Sequence, residues 1–400
     1  MEPRSLFLPV YLKSEMLFYV SSGSGTLSWI NVEKYDDKLQ QVQLQMGDIY
    51  RLAPGTIFYL QNNIIHSNHH LPFHFQQKLQ IHAIFSDSTD HLQHEPFDGP
   101  YVGVQDLVLG FDNRVLQETL SVPEQVIEEL RRGESQPLIV EGQPEANSSI
   151  GEFNTQIIRT LLQTKNKDGI LRLKSSKKPY NIYKADHDVE NCYGWCVTVT
   201  EKQLDVLKDS LFGVVMVNLT KGVMMGPHWN PSTAEVAIVL QGQGMIQVVC
   251  PSLEKETLCK NSKLRVEEGD VFVVPRHHPM TQISFNNDSF VFMGFTSNIR
   301  KNNPQYLAGK SSIFEMLDKW VLAKSFNVNN MTMDLVLWAQ RKSIIVDCTS
   351  CAESMEGGWW EGEASRKEEM GWEGETAKKE EEEMRKSERE AEAAAGGGSG

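Results

Sequence analysis

The most regular feature of the chain is a series of short apolar runs separated by glycine, proline, asparagine and aspartate. Runs such as EMLFYV (15–20) and EVAIVL (235–240) are rich in Val, Ile, Phe and Tyr. These residue types favour β-strands, and the intervening types favour tight turns. Many short strands at close spacing predict an all-β chain whose sheets close into a sandwich or barrel, with alternate side chains filling the interior.

The strand pattern occurs twice, in the same order. EMLFYVSSGSGTLSWI (15–30) and EVAIVLQGQGMIQVV (235–249) each contain a strand run, a glycine pair and a second strand. Beyond each comes a Gly-Asp step, in MGDIYRLAPGTIFYL (46–60) and in EGDVFVVPRHHPMTQI (268–283). Matches that recur in the same order indicate a duplicated module.

Each copy of the pattern is followed by a helical one, at 115–130 and at 321–337. In the first of these, Pro123 followed by Glu124 is typical of a helix start. The apolar residues that follow at helical spacing are Val126, Ile127 and Leu130. Such an apolar face must pack on its own barrel or on a neighbouring subunit.

Pattern and composition divide the chain into four parts. We expect a first module with its helical extension at 1–130, a linker at 131–177, a second module with its extension at 178–345, and an acidic low-complexity tail at 346–400. The linker is rich in Gly, Pro, Ser and Glu. The tail contains the repeats WEGEASRKEEM and WEGETAKKEEEEM, and its composition favours disorder over a solvated helix with charged i,i+4 pairs.

The first module has few residues before its glycine pair. Only about twenty residues precede this turn, against roughly sixty in the second module, and a barrel that lacks strands exposes sheet edges. We therefore expect a chain truncated at its N terminus, without its opening strands.

The charge of the chain limits its partners. It has 39 basic and 53 acidic residues, a formal net charge of −14, which argues against general nucleic-acid binding. No apolar run reaches the eighteen or more residues that a membrane span needs, and no signal peptide is visible. We expect neither a nucleic-acid nor a membrane partner.

One stretch carries a family resemblance. MVNLTKGVMMGPHWNPSTAEVAIVLQGQGMIQVVCP (216–251) resembles the second cupin domain of vicilins, the seed storage proteins. The resemblance continues through GDVFVVPRHHPMTQISFN (269–286) and FVFMGFTSNIRKNNPQYLAGKSSIF (290–314), and more loosely over 6–130. It is closest to the vicilin-like group with a Glu/Arg-rich C-terminal extension.

The resemblance implies a fold, an assembly and a role. The fold is two cupin modules, which are jelly-roll β-barrels, with helical extensions that hold a homotrimer together. The role is that of a non-catalytic nutrient reservoir in the protein storage vacuole, reached through the secretory pathway. On that pathway the four N-x-[ST] sequons, at Asn147, Asn218, Asn287 and Asn330, become relevant.

Metal-binding cupins supply three His and one Glu from two strand motifs. Residues at i and i+2 on a strand point to the same face, and here these positions hold His228 and Asn230, with Glu235 at the carboxylate position. Met280 takes the place of the last histidine, with His278 nearby. His228, Asn230, Glu235 and His278 thus form a degraded ligand set, and we expect no cofactor, with adventitious zinc or copper as the alternative.

Other candidate sites point to structure rather than chemistry. The first module has apolar residues at the matching positions, Val10, Leu12, Met16 and Phe58, which predicts a filled barrel. The histidine-rich stretch at 66–82 favours a solvated loop over a zinc or copper site. Cys192 and Cys196 leave open a local disulfide or a reduced pair, in preference to half of a zinc site.

Three hypotheses for function follow. The leading one is a storage protein that is not an enzyme. The second is a metal-dependent cupin enzyme that uses His228, Glu235 and a histidine from the pair 277–278. The third is a module that binds a small ligand, such as a sugar or a hormone, in the second barrel, with Trp229 at its mouth.

Overall fold

The computed structural model describes two β-barrels, each followed by helices. It covers residues 1–31, 39–62, 78–86, 99–133, 136–142, 174–175, 178–208, 210, 212–251, 260–297, 302–342 and 344–356. Strands make up most of the regular structure in these ranges. The prediction of an all-β fold with helical extensions is therefore confirmed.

The first barrel is built from two sheets. Their strands are β1 (Ser5–Leu12), β2 (Met16–Ser22), β3 (Ser24–Asn31), β4 (Gln40–Gln45), β5 (Asp48–Leu52), β6 (Thr56–Gln61), β7 (Gln80–Phe85), β8 (Tyr101–Gly103), β9 (Ile139–Glu141), β10 (Lys174–Ser175) and β11 (Tyr180–Asn181). One sheet has the order β10-β4-β3-β6-β1-β8, with β9 also paired to β1, and the other has the order β11-β5-β2-β7.

The second barrel repeats this plan with two sheets of six strands each, where the first has one of seven and one of four. Its strands are β12 (Val189–Asn191), β13 (Gly194–Val199), β14 (Phe212–Leu219), β15 (Val223–Trp229), β16 (Glu235–Gln241), β17 (Gln243–Val248), β18 (Ser262–Glu267), β19 (Val271–Val274), β20 (Met280–Ser284), β21 (Phe290–Ser297), β22 (Gln305–Tyr306) and β23 (Ile345–Asp347). The sheets have the orders β12-β13-β14-β21-β16-β19 and β18-β17-β20-β15-β22, with β23 paired to β15. Among the described residues, the first barrel has no strands in the places of β13 and β14.

Glycine and aspartate residues at matching turns confirm the duplication. Gly23 and Gly242 both have a positive φ, 77° and 78°. A Cβ would lie 2.6 Å from the Lys78 carbonyl oxygen at Gly23 and 1.9 Å from that of Ser289 at Gly242. At the Gly-Asp steps, Asp48 and Asp270 each accept a hydrogen bond at 2.9 Å from the backbone N–H three residues earlier.

The interior of the first barrel is a continuous apolar core. Val10, Leu12, Met16 and Phe58 are all at most 5% exposed and pack in it. This agrees with the filled barrel predicted from their apolar side chains.

The two barrels share a second core between them. Along β2, Met16, Phe18 and Val20 face the first barrel's interior, whereas Leu17 and Tyr19 pack against residues of the second module. Successive side chains of a strand point to opposite faces, so a strand that is buried on both faces has apolar residues at every position.

Helices follow each barrel. They are α1 (Val104–Leu109), α2 (Asn113–Leu120) and α3 (Glu124–Arg132) after the first, and α4 (Lys319–Ser325) and α5 (Asn330–Trp338) after the second. Pro123 is the N-cap of α3, as the sequence indicates, and Ile127 is fully buried. The Lys319 ammonium group lies 2.8 Å from the Asp334 carboxylate and links α4 to α5.

Several segments lie across the predicted boundaries. Residues 139–141, in the predicted linker, pair with β1, and residues 180–181, in the predicted second module, pair with β5 of the first. Residues 349–356, in the predicted tail, are helical, and Ala352 packs on the second barrel beside the Cys348–Cys351 disulfide. Most of the predicted linker, and the tail from residue 357, lie outside the described residues.

A polar cavity in the second barrel

The two modules present equivalent positions to their barrel interiors. On β15, His228 pairs with Met280 of β20, just after a register shift between Met225 and His228. On β1, Val10 pairs with Phe58 of β6, just after a corresponding shift. The same backbone position therefore carries an apolar side chain in the first barrel and a histidine in the second.

Three of the four predicted site residues line one cavity of about 170 Å³ in the second barrel: His228, Asn230 and Glu235. His278 does not line it, because it lies in the turn before β20, with its Nδ1 atom 3.1 Å from the Arg276 carbonyl oxygen. Among the described residues, no group of three or more His, Cys, Asp and Glu side chains is placed to hold a metal ion. The four predicted ligands are therefore not brought together.

The rest of the cavity wall divides into polar and apolar parts. The remaining polar residues are Thr198, Thr200, Gln282, Thr296 and Asn302. The apolar residues are Val215, Val217, Met225, Phe292 and Pro304. The wall thus combines an apolar surface with hydrogen-bonding groups, as small-molecule sites do.

Glu235 is a buried acid at the start of β16. It pairs in register with Thr296 of β21, and its side chain has no hydrogen-bond partner among the described residues. A Cβ on Gly294 would lie 2.9 Å from Glu235 Oε1, so this glycine leaves room for the carboxyl group. Burial raises the pKa of Glu235 to about 7 because the apolar surroundings disfavour the charged form.

His228 is held as a neutral ring with one free acceptor. Its Nδ1 lies 2.9 Å from the Gly226 carbonyl oxygen, and since a carbonyl only accepts, Nδ1 carries the proton. Nε2 then presents a lone pair. Burial lowers the pKa of His228 to about 4, so the ring is uncharged at neutral pH.

Asn230 supports the cavity wall. Its side-chain oxygen accepts a hydrogen bond at 2.8 Å from the Asn302 amide, and its backbone oxygen accepts one at 2.9 Å from the His277 N–H. Asn230 therefore joins two segments that flank the cavity, and its oxygen is already engaged.

Two further polar atoms of the wall are unpaired. Gln282 Oε1 and Thr296 Oγ1 are buried and have no hydrogen-bond partner among the described residues. The Gln282 amide group is oriented by its Nε2, which lies 3.4 Å from Met280 Sδ. A buried unsatisfied group costs about 1–3 kcal/mol, so atoms of this kind in a native protein are commonly satisfied by a water molecule or a ligand.

Sequence reasoning missed Gln282, Thr296 and Gly294. Gln282 follows Met280 at i+2 on β20, so strand periodicity places both on one face. That spacing was a usable signal for Gln282. Thr296 and Gly294 come next to Glu235 only through the register of β16 with β21, which a sequence does not reveal.

The other candidate residues lie elsewhere. Trp229 is half-buried and does not line the cavity. Cys192 is exposed and Cys196 is buried, and neither is in a disulfide. Of the histidine-rich stretch only His82 is described, half-buried in β7, while the remaining four lie outside the described residues. No helix in the described ranges has the length and apolar character needed to cross a bilayer.

Comparison with known proteins gives the family. Residues 180–334 match the Cupin family model. A vicilin-like seed storage protein of Arabidopsis thaliana is 42% identical over 88% of this chain and 68% of its own length. A second one from the same plant is also 42% identical over 88% of this chain, which spans about half, 49%, of that relative.

A solved structure shows the same fold. The vicilin of Solanum melongena, described with different anionic ligands in structurally similar pockets, superposes with a TM-score of 0.67 at 20% identity. The match covers 87% of this chain and 86% of that one. With both barrels and the relatives in agreement, this chain belongs to the vicilin-like seed storage proteins of the cupin superfamily.

Proposed function

We propose that this protein is a nutrient reservoir of seeds and catalyses no reaction. The observation that carries the proposal is its 42% identity to vicilin-like seed storage proteins along 88% of the chain. The filled first barrel supports it, since an apolar interior offers no reactive group. A metal-dependent enzyme finds less support, because Met280 occupies the place of a ligand and His278 lies away from the cavity.

A reservoir acts through its bulk behaviour, and the cores suit this role. Apolar clusters fill the first barrel, make up much of the second and fill the space between them. Compact packing of this kind slows proteolysis, because a protease needs locally unfolded chain. We place the protein in the secretory pathway and the storage vacuole, following its family.

We also propose that the protein assembles as a homotrimer through its helices. In α4 and α5, Trp320, Leu335 and Trp338 are 59%, 71% and 60% exposed, and in the first module Phe111 and Val115 are 54% and 43% exposed. A monomer seldom exposes an apolar surface of this extent. Two different apolar surfaces on one chain suit a head-to-tail ring, and the number three follows the family.

Accumulation during seed maturation tests the reservoir role. Targeted mass spectrometry of peptides from both barrels should show the protein rising through maturation to a substantial fraction of total seed protein. A trace level that stays constant from early embryo to dry seed would contradict the proposal.

A second function, small-molecule binding in the second barrel, has its own supporting observation. Gln282 Oε1 and Thr296 Oγ1 are buried and unpaired beside a cavity of about 170 Å³. The Solanum melongena vicilin, of similar fold, has ligands in its pockets. Native mass spectrometry of the protein purified from seed tests this function, since a bound compound would add a defined mass that denaturation removes.

A further inference from the structure

We propose that the cavity of the second barrel binds a small organic cation with a primary ammonium group, held by Glu235, His228 and Gln282. This inference rests on the proposed ligand-binding function of the same cavity and names its class of ligand. It differs from the anions described for the Solanum melongena vicilin.

Three side chains of the wall present hydrogen-bond acceptors. His228 presents the lone pair of Nε2, because Nδ1 donates to the Gly226 carbonyl oxygen. Gln282 presents an unpaired Oε1, because its amide nitrogen is oriented toward Met280 Sδ. Glu235 presents its carboxyl oxygens. Three acceptors match the three N–H donors of a primary ammonium group.

The charge of the wall also selects against anions. Glu235 is the acidic residue of the wall, and no Lys or Arg is among the described residues that line the cavity. An anion would therefore face a buried carboxyl group without a positive partner. A cation would pair with the carboxylate, and an opposite charge nearby favours the ionised form of a buried acid.

The size and the apolar wall define the rest of the ligand. Val215, Val217 and Phe292 line the cavity with apolar surface, which suits a hydrocarbon body. The cavity volume of about 170 Å³ resembles that of an engineered cavity of about 150 Å³ that binds benzene. A cation of about five or six non-hydrogen atoms therefore fits.

Isothermal titration calorimetry with three probes of one shape tests the ligand class. The probes are n-butylammonium, butyrate and butan-1-ol, each titrated into the wild-type chain at pH 7.5. We expect butylammonium to bind at one per chain, at least tenfold more tightly than butan-1-ol, and butyrate not to bind. Butyrate binding as tightly as butylammonium would overturn the cation inference and leave the ligand-binding function intact. Binding of none of the three would contradict both.

Variants locate the binding within the cavity. Glu235→Gln keeps the shape of the side chain and removes its charge. We expect this variant to bind butylammonium at least tenfold more weakly than wild type, with little change in its binding of butan-1-ol. Gln282→Leu should weaken the binding of butylammonium as well, because it removes one of the three acceptors. The control is Thr56→Val, which removes a buried unpaired hydroxyl in the first module and should leave binding unchanged. Unaltered butylammonium binding by a folded Glu235→Gln variant, checked by near-UV circular dichroism, would overturn the proposal.

Discussion

At the scale of the residue, burial moves Glu235 and His228 toward their neutral forms. The pKa of Glu235 rises from 4.5 to about 7, and that of His228 falls from 6.5 to about 4. Both shifts follow from desolvation, which penalises a charge wherever no partner compensates it. Between these two pKa values the cavity therefore contains a neutral acid and a neutral base. Below this range His228 gains a proton and becomes positive, and above it Glu235 loses its proton and becomes negative.

Replacing Glu235 by glutamine should change the pH dependence of stability. The native state retains a proton on Glu235 that the unfolded chain releases above pH 4.5, so wild-type stability from this group is present at low pH and lost as pH rises toward 7. The free energy of unfolding of Glu235→Gln relative to wild type should thus increase by about 3 kcal/mol between pH 4.5 and pH 8.

Urea denaturation at the two pH values measures this difference. The control is Glu268→Gln, at an exposed position of the turn before β19, which should show a pH-independent difference from wild type. A constant difference for Glu235→Gln as well would mean that the carboxyl group is not buried as described.

At the scale of the element, the turn glycines could be predicted and the shared core could not. The repeated glycine pairs identify the β2–β3 and β16–β17 hairpins from the sequence, because a positive φ and a close backbone approach both require glycine. The burial of Leu17 and Tyr19 between the barrels depends on a contact between distant parts of the chain. The same limit explains why His228 and Glu235 were found by local spacing while Thr296 was missed.

Alanine substitutions at two turn glycines should separate the cost of a steric clash from the cost of backbone strain. Gly242 and Gly269 both have a positive φ, 78° and 93°, but a Cβ meets the Ser289 carbonyl oxygen at 1.9 Å only at Gly242, and at Gly269 it meets nothing within 4 Å. Gly269→Ala should cost about 1–2 kcal/mol of unfolding free energy, and Gly242→Ala should cost at least about 2 kcal/mol more. Chemical denaturation curves measure both, and equal losses would refute the close approach.

Glycosylation at the hairpin between β20 and β21 tests the secretory route. Asn287 is exposed in this turn, whereas Asn218 is half-buried within β14. If the protein passes through the secretory pathway, we expect an N-linked glycan at Asn287 and none at Asn218. Peptide mass spectrometry after glycosidase treatment in heavy-oxygen water detects the modified asparagine, and an unmodified Asn287 in protein purified from the plant would count against this route.

At the scale of the whole molecule, the helical extensions carry apolar residues on two faces. Leu322, Ala323 and Met333 form the small core between α4 and α5, while Trp320 and Leu335 point outward. The duplication, and hence the two barrels, could be predicted from repeated strings. For the first extension the sequence predicted an apolar face without deciding between its own barrel and a neighbouring subunit, because the strings do not show which surface covers a helix.

A charged residue on the outward face should dissociate the assembly. Leu335→Asp places a carboxylate where an apolar contact is proposed, and burying an unpaired charge is costly. Size-exclusion chromatography with light scattering should give three times the chain mass of 45.3 kDa for wild type and a single chain mass for the variant. Lys310→Gln, an exposed loop change with the same net charge difference, should remain trimeric, and a trimeric Leu335→Asp would place the interface elsewhere.

If the protein is a seed reserve, it should be consumed on germination. Peptides from both barrels should be quantified by mass spectrometry in dry seed and through seedling establishment, against a metabolic enzyme of the same tissue. We predict that nearly all of this protein disappears before the seedling becomes self-sufficient, while the enzyme persists. A constant or rising amount of the protein over that period would contradict the reservoir function.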